Sequence, residues 1–256
     1  MTDTIFQLSE YQDNNIPFTL CIVTETSGST PRKAGAKMLV FADGSSKGTI
    51  GGGAVERKAL EDAIICLKSG KPNKIRYLLE KDLSMQCGGA VEIYFEPFLC
   101  KPDLFIFGAG HVGREVGFYA ETLGFNVHFI DFRPELLNTI TIPGAVCHEG
   151  NFIETIDNLS LNPNSYVVIS TPSHESDEAL VLKLAKLDLA YLGLIASNRK
   201  AARISKFAIE NQILTEEQLA SVNMPIGIPF HAETPREIAI SIVAKLIDVK
   251  NEKCKA

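Results

Sequence analysis

The chain has 256 residues, 45% of them hydrophobic and 22% charged, with a formal net charge of −6. Such a length buries a sizeable core, as one large domain or two modest ones, without metal or disulfide staples. The acidic balance, with no basic stripe interleaved with aromatics, argues against nucleic acid as a partner.

The N-terminus, MTDTIFQLSEYQDNN, lacks a basic segment followed by an apolar run and does not read as a signal peptide. FTLCIVTET (18–26) and AKMLVFAD (36–43) read as buried strands. In AVERKALEDAIICLKSG, Val55, Ala59, Ala63, Ile64 and Leu67 share one helical stripe, and Gly70 stands just past its end. NKIRYLLE (73–80) alternates at Ile75, Tyr77 and Leu79, and AVEIYFEP (90–97) at Val91, Ile93 and Phe95. Period 2 marks strands with one buried face, so residues 1–100 are expected to form a small α+β domain.

Pro97 and Pro102 punctuate the seam that follows, FEPFLCKPDLFIFGAG. Beyond it, LFIFGAG, NVHFIDF, GAVCHEG, SYVVIST and AYLGLIAS are strand candidates, with helices expected at about 111–123, 176–187, 198–210 and 235–249. The alternation predicts an α/β domain over 101–256, a Rossmann-like doubly wound parallel sheet. Thr234, Pro235 and Glu237 form a capping box for the last helix, which buries Ala239, Ile242, Val243, Leu246 and Ile247. The most apolar long stretch, ALVLKLAKLDLAYLGLIAS, is broken by Lys183, Lys186 and Asp188 and does not read as a membrane span. A cytoplasmic location is the default expectation.

Four features carry chemistry. Gly108, Gly110 and Gly113 form a G-x-G-x-x-G fingerprint between a strand and a helix. The first glycine makes the tight turn, the second admits an anion to the helix N-terminus, and the third packs helix on sheet. His111 faces whatever binds there. Eighteen residues past Gly113, Asp131 ends a strand where an acid can accept from ribose hydroxyls. Arg133 is either a partner for a 2′-phosphate or other anion, or a solvated loop arginine. The alternative for the whole motif is a nucleotide-free scaffold that keeps its glycines for packing.

The loop GSTPRKAGAKM offers Ser29, Thr30, Arg32 and Lys37 around two glycines, a set suited to a phosphate or oxyanion or else to a solvated turn. Gly51, Gly52 and Gly53 form a second candidate anion nest before a helix. Glu56, just inside that helix, is a proton carrier or a favourable charge at its N-terminus. Cys21, Cys66, Cys87, Cys100, Cys147 and Cys254 are irregularly spaced, with no C-x-x-C pair. Cys87 stands out because Gly88 and Gly89 leave its sulfur approachable, and a thiolate is a soft metal ligand or sulfur acceptor. His128 and His148 flank strands and read as structural.

Six segments together carry a resemblance: TSGSTPRKAGAKMLVFADGSSKGTIGGGAVE (26–56), CGGAVEIYFEP (87–97), FGAGHVG (107–113), IDFRPE (130–135), SNRKAARI (197–204) and AETPREIAISIVAKLI (232–247). In this set and order the chain resembles the xanthine dehydrogenase accessory factor family, of the XdhC/CoxI type. The resemblance implies a maturation factor rather than a stand-alone enzyme. It would bind molybdenum cofactor (molybdopterin), support its sulfuration with a cysteine desulfurase, and deliver it to a molybdenum hydroxylase of the xanthine dehydrogenase type.

The resemblance places Cys87 at the family's functional cysteine; Cys87 and Glu56 are the candidate catalytic residues, and Cys87 is also the candidate metal ligand. Residues and resemblance together make Ser29, Arg32, Lys37, Gly51, Gly52, Gly53, Gly88, Gly108, Gly110, His111, Gly113, Asp131, Arg133, Thr171, His174, Arg199 and Lys200 the candidate cofactor contacts. The chain departs from the family pattern at Ala54, Gln86, Pro172 and His231, and a mechanism needing two thiols is thereby disfavoured. Two other classes share the fold: an NAD(P)-dependent oxidoreductase and a nucleotide-sensing regulatory protein. A cofactor shared between two small domains would favour a homodimer.

Overall fold

The computed structural model describes residues 8–12, 14–79 and 89–253. The chain divides into two compact units, Met1–Cys100 and Lys101–Ala256.

The first unit is an antiparallel sheet with one long helix. Its strands are β1 (Phe18–Ser27), β2 (Lys37–Phe41), β3 (Ser46–Gly48), β4 (Asn73–Leu78) and β5 (Ala90–Phe98), in the order β3-β2-β1-β5-β4. Helix α1 (Gly53–Ser69) lies between β3 and β4 in sequence. Its buried Val55, Ala59, Ala63 and Cys66 pack with Val23, Val40, Tyr77, Ile93 and Phe95 in one cluster. Gly70 ends α1 in the left-handed conformation, φ 63°, and donates to the Cys66 and Leu67 carbonyls. The first part of central β1, Phe18 to Val23, is covered on both sides, because Phe18 and Leu20 join a second cluster with Leu39, Phe41 and Phe98. Burial pushes the Cys21 thiol far up, so this cysteine is an inert core atom.

The second unit is a parallel sheet of six strands. These are β6 (Asp103–Phe107), β7 (Asn126–Asp131), β8 (Val146–Glu149), β9 (Tyr166–Ile169), β10 (Tyr191–Leu194) and β11 (Val222–Asn223), in the order β11-β10-β9-β6-β7-β8. The helices are α2 (His111–Thr122), short α3 (Pro134–Leu137) and α4 (Phe152–Thr155), α5 (His174–Leu184), α6 (Asn198–Glu210), short α7 (Glu216–Ala220) and α8 (Pro235–Lys253). Successive residues of a strand face opposite sides. Leu104 and Ile106 accordingly pack with Val116, Ala120, Ala239, Ile242 and Leu246 from α2 and α8. Phe105 and Phe107 join the other cluster, with Leu180, Val181 and Leu184 of α5 and Ile204 and Ala208 of α6. Both faces are covered, as in a doubly wound fold, and strands such as Tyr166–Ile169 are buried along their whole length.

The strand candidates of the sequence all form. Helix α5 starts two residues before its expected place, because Ser173 caps it by accepting from the Ser176 amide. β3, α7 and β11 escape the sequence pattern because three, five and two residues are too few to show a period. The capping box of α8 forms: the Thr234 amide donates to Glu237 Oε2 (2.9 Å), and the Glu237 amide donates to Thr234 Oγ1 (3.3 Å). His128 and His148 lie inside β7 and β8, with Nδ1 of the first 3.1 Å from Nε2 of the second. Among the described residues, no helix is long and apolar enough to cross a membrane.

The sheet order reverses between β6 and β9, and the helix after β6 must pack tightly there. Gly113 has no room for a side chain: a Cβ would overlap the Gly108 carbonyl oxygen and lie 3.1 Å from Ile106 Cγ2. Gly117, one turn on, is equally constrained, since its Cβ would overlap the ring of Phe129, which is fully buried. Gly117→Ala should therefore destabilise the protein by about 1–3 kcal/mol through overpacking, measured by denaturant unfolding, although alanine is the better helix former.

Candidate functional site

In doubly wound sheets ligands bind beyond the carboxyl ends of the strands, where the strand order reverses. Here the loops after β6 and β9 meet at that place. Gly108 has φ 110°, and a Cβ there would lie 2.8 Å from the Ser170 carbonyl carbon and 3.1 Å from the Thr171 amide nitrogen. Gly110 leads into α2, and a Cβ on it would meet nothing within 4 Å. The fingerprint glycines thus divide their labour. Gly108 and Gly113 serve close packing, while Gly110 faces open space in front of the helix N-terminus. His111, the first residue of α2, is exposed.

Asp131 ends β7 behind this loop and is fully buried. Its Oδ2 accepts from the Ala109 amide (2.8 Å) and Arg133 Nη2 (2.7 Å). Its Oδ1 accepts from the Arg133 amide (3.0 Å) and Arg133 Nε (2.8 Å). Burial pushes the carboxyl up, but the Arg133 side chain and the two amides outweigh it and hold it below the usual carboxylate range. The four acceptor sites of Asp131, expected to receive ribose hydroxyls, are met in this structure by protein donors. Arg133, expected either to meet an anion or to be solvated, has its guanidinium forked onto Asp131.

On the other side of the crevice, Thr171 Oγ1 lies 2.6 Å from Asp177 Oδ1 and takes the Ser173 amide at 3.3 Å. Asp177 is buried and forms an ion pair with Lys200. The ammonium of Lys200, an expected ligand contact, is held in this ion pair, which ties α6 to α5. Arg199 is exposed in the first turn of α6, and His174 is exposed as the first residue of α5.

In the first unit three stretches converge. Gly89 has no room for a Cβ, which would lie 2.6 Å from the Ser27 carbonyl oxygen and overlap that of Ser29. Gly51, φ 140°, packs on Pro31 and Arg32, where a Cβ would come 3.0 Å from Pro31 Cβ. Residues 31–37 with Gly48 and Thr49 line an open groove of about 700 Å³. Arg32 and Lys33 are exposed along it, Ser29 is exposed just before it, and Lys37 Nζ donates to the Gly35 carbonyl (3.1 Å). Cys87 and Gly88 lie outside the described residues, and Gly89 is the first described residue after them.

The triple-glycine nest is already filled. Glu56 Oε2 accepts from Thr49 Oγ1 (2.6 Å), the Gly52 amide (2.9 Å) and the Ile50 amide (3.3 Å), and the Gly51 amide donates to Thr49 Oγ1 (3.2 Å). Gly52 and Gly53 adopt φ 72° and 61°, left-handed values that turn the backbone around this carboxylate. Partial burial pushes Glu56 up, but the hydrogen bonds from Thr49, Gly52 and Ile50 outweigh it and favour the anion. Glu56 therefore organises the loop that flanks the groove. Sequence reasoning missed Thr49, Lys33 and the Ala109 amide. A hydroxyl seven residues before an acid, across three glycines, was the available signal for Thr49.

Residues 104–246 match the XdhC Rossmann domain, and residues 12–78 match the XdhC and CoxI family. The uncharacterized protein YqeB of Escherichia coli K12 is 35% identical over 96% of this chain and 46% of that protein. A probable xanthine dehydrogenase component of Bacillus subtilis 168 is 27% identical over 59% of this chain and 43% of that protein. The chain spans a little under half the length of these two curated relatives. The molybdenum cofactor insertion chaperone PaoD of Escherichia coli K12 is 23% identical over 90% of this chain and 83% of that protein. Among solved structures, a xanthine dehydrogenase from Bacillus halodurans shares the fold, with TM-score 0.55 and 21% identity over 97% of this chain and 96% of that one.

Two outcomes follow from the buried charges. Lys200→Met strands Asp177 in the interior and should cost about 3–5 kcal/mol in denaturant unfolding. The depressed Asp131 contributes stability that is complete above the unfolded aspartate value of about 3.9 and is lost as pH falls through its folded value. The stability difference between pH 7 and pH 3 should then be smaller in Asp131→Asn than in wild type, by calorimetry at both pH values.

Proposed function

We propose that this chain, which belongs to the XdhC and CoxI family, is an accessory factor in the maturation of a molybdenum hydroxylase. It binds molybdenum cofactor as cargo, supports its sulfuration and delivers it to an apo-enzyme of the xanthine dehydrogenase type. One observation carries the reading: the likeness to a molybdenum cofactor insertion chaperone runs along 90% of this chain and 83% of that protein. In this reading the sulfur comes from a cysteine desulfurase, the working form is a homodimer, and the location is the cytoplasm.

The groove of the first unit suits such cargo. Arg32 and Lys33 offer exposed cations to a phosphate or an oxometal anion, and the Glu56-braced glycine loop holds one wall rigid. Cys87, two residues before Gly89, supplies the soft ligand or sulfur acceptor of the proposal. Molybdenum and its pterin bring the redox chemistry of the client. This chain's own residues would bind, orient and shield the cargo.

Anaerobic equilibrium dialysis with molybdenum cofactor tests the proposal on wild type, Arg32→Ala and Cys87→Ser. Wild type should bind saturably. Arg32→Ala should weaken binding by about tenfold, the scale of one charge-assisted contact, and Cys87→Ser should fold normally yet lose cofactor binding or sulfuration support. Absence of saturable binding to wild type, with unchanged molybdenum-hydroxylase activity in cells lacking the protein, would sink the reading.

A further inference from the structure

The second unit has the phosphate half of a dinucleotide site without its ribose half. Dinucleotide-binding sheets of this kind place a free carboxylate at the end of the second strand, where it accepts from the ribose hydroxyls. Asp131 occupies that position, at the end of β7. An ionised carboxylate has about four acceptor sites. Asp131 spends them on the Ala109 amide, the Arg133 amide, and Nε and Nη2 of Arg133, all at 2.7–3.0 Å. The Arg133 guanidinium also lies over the Phe132 ring, 5.3 Å from its centroid. Asp131 is fully buried and the Arg133 side chain 26% exposed, so the arginine covers the acid from solvent. A ribose diol could reach Asp131 only after Arg133 withdrew and left a bidentate, charge-assisted pair. Meanwhile Gly110 keeps its open side and Gly108 its tight turn.

We infer that the Asp131–Arg133 pair is a specificity-determining latch that excludes NAD(P) from the Rossmann crevice. Asp131 serves the fold instead, pinning the Ala109 amide of the glycine loop to the end of β7. NAD(P), which the fold suggests, does not fit these residues. The inference is independent of the molybdenum reading, since it concerns only which ligands this crevice rejects.

NADH and NADPH titrations by cofactor fluorescence, with ADP-ribose by calorimetry, test it on the full chain. Wild type should show no saturation by any of the three up to about 1 mM. Arg133→Ala frees acceptor sites on Asp131 and should bind NADH at least tenfold more tightly than wild type. Micromolar binding of NADH, NADPH or ADP-ribose to wild type overturns the inference. So does a folded Arg133→Ala protein that binds NADH no better than wild type. Should Arg133→Ala fail to fold, Arg133→Gln keeps one donor for the buried carboxylate and is judged by the same tenfold criterion.

Discussion

A carboxylate taken out of water must be given donors or it will not stay charged. Glycine-rich turns in both units of this chain are organised around that constraint. Asp131 draws the Ala109 amide of the fingerprint loop and the fork of Arg133 onto itself. Glu56 draws Thr49, Ile50 and Gly52 into a closed turn. In each case the acid comes from the protein, and the loop is shaped before any ligand arrives.

The consequence is a division between what the loops hold and what they offer. The amides that meet Asp131 and Glu56 are spent inward. Groups facing outward include the open side of Gly110, exposed His111, His174 and Arg199, and Ser29, Arg32 and Lys33 of the first unit. These outward-facing groups belong to two separate units of the chain, each with its own glycine-rich turn. The fold alone does not choose among ligands, because a doubly wound sheet hosts many. The choice rests on particular side chains such as Arg133.

Much of the architecture was legible because it is periodic. The alternation at Val91, Ile93 and Phe95 and the stripe of Val55, Ala59 and Ala63 are local patterns, and each is buried as a strand or helix requires. The capping box at Thr234 and Glu237 was legible for the same reason, its partners being three residues apart. Lys200 was harder. Read locally it is an exposed cation near a helix start, yet its partner Asp177 lies twenty-three residues earlier in the chain. Gly117 was harder still, since nothing nearby in sequence announces that Phe129 will press against it.

The amino-acid order by itself determined where the turns are, which strands are covered on both faces, and which glycines stand before helix N-termini. These follow from short-range sterics and hydrophobic period, which can be counted along the chain. Only the tertiary structure decided which donors meet the acids near those glycines. Whether Asp131 faces a ligand or Arg133, and whether Glu56 moves a proton or braces a loop, depends on how deeply each carboxylate is buried and which donors reach it. Burial and donor geometry are set by the whole sheet packing at once, so no spacing in the chain encodes them.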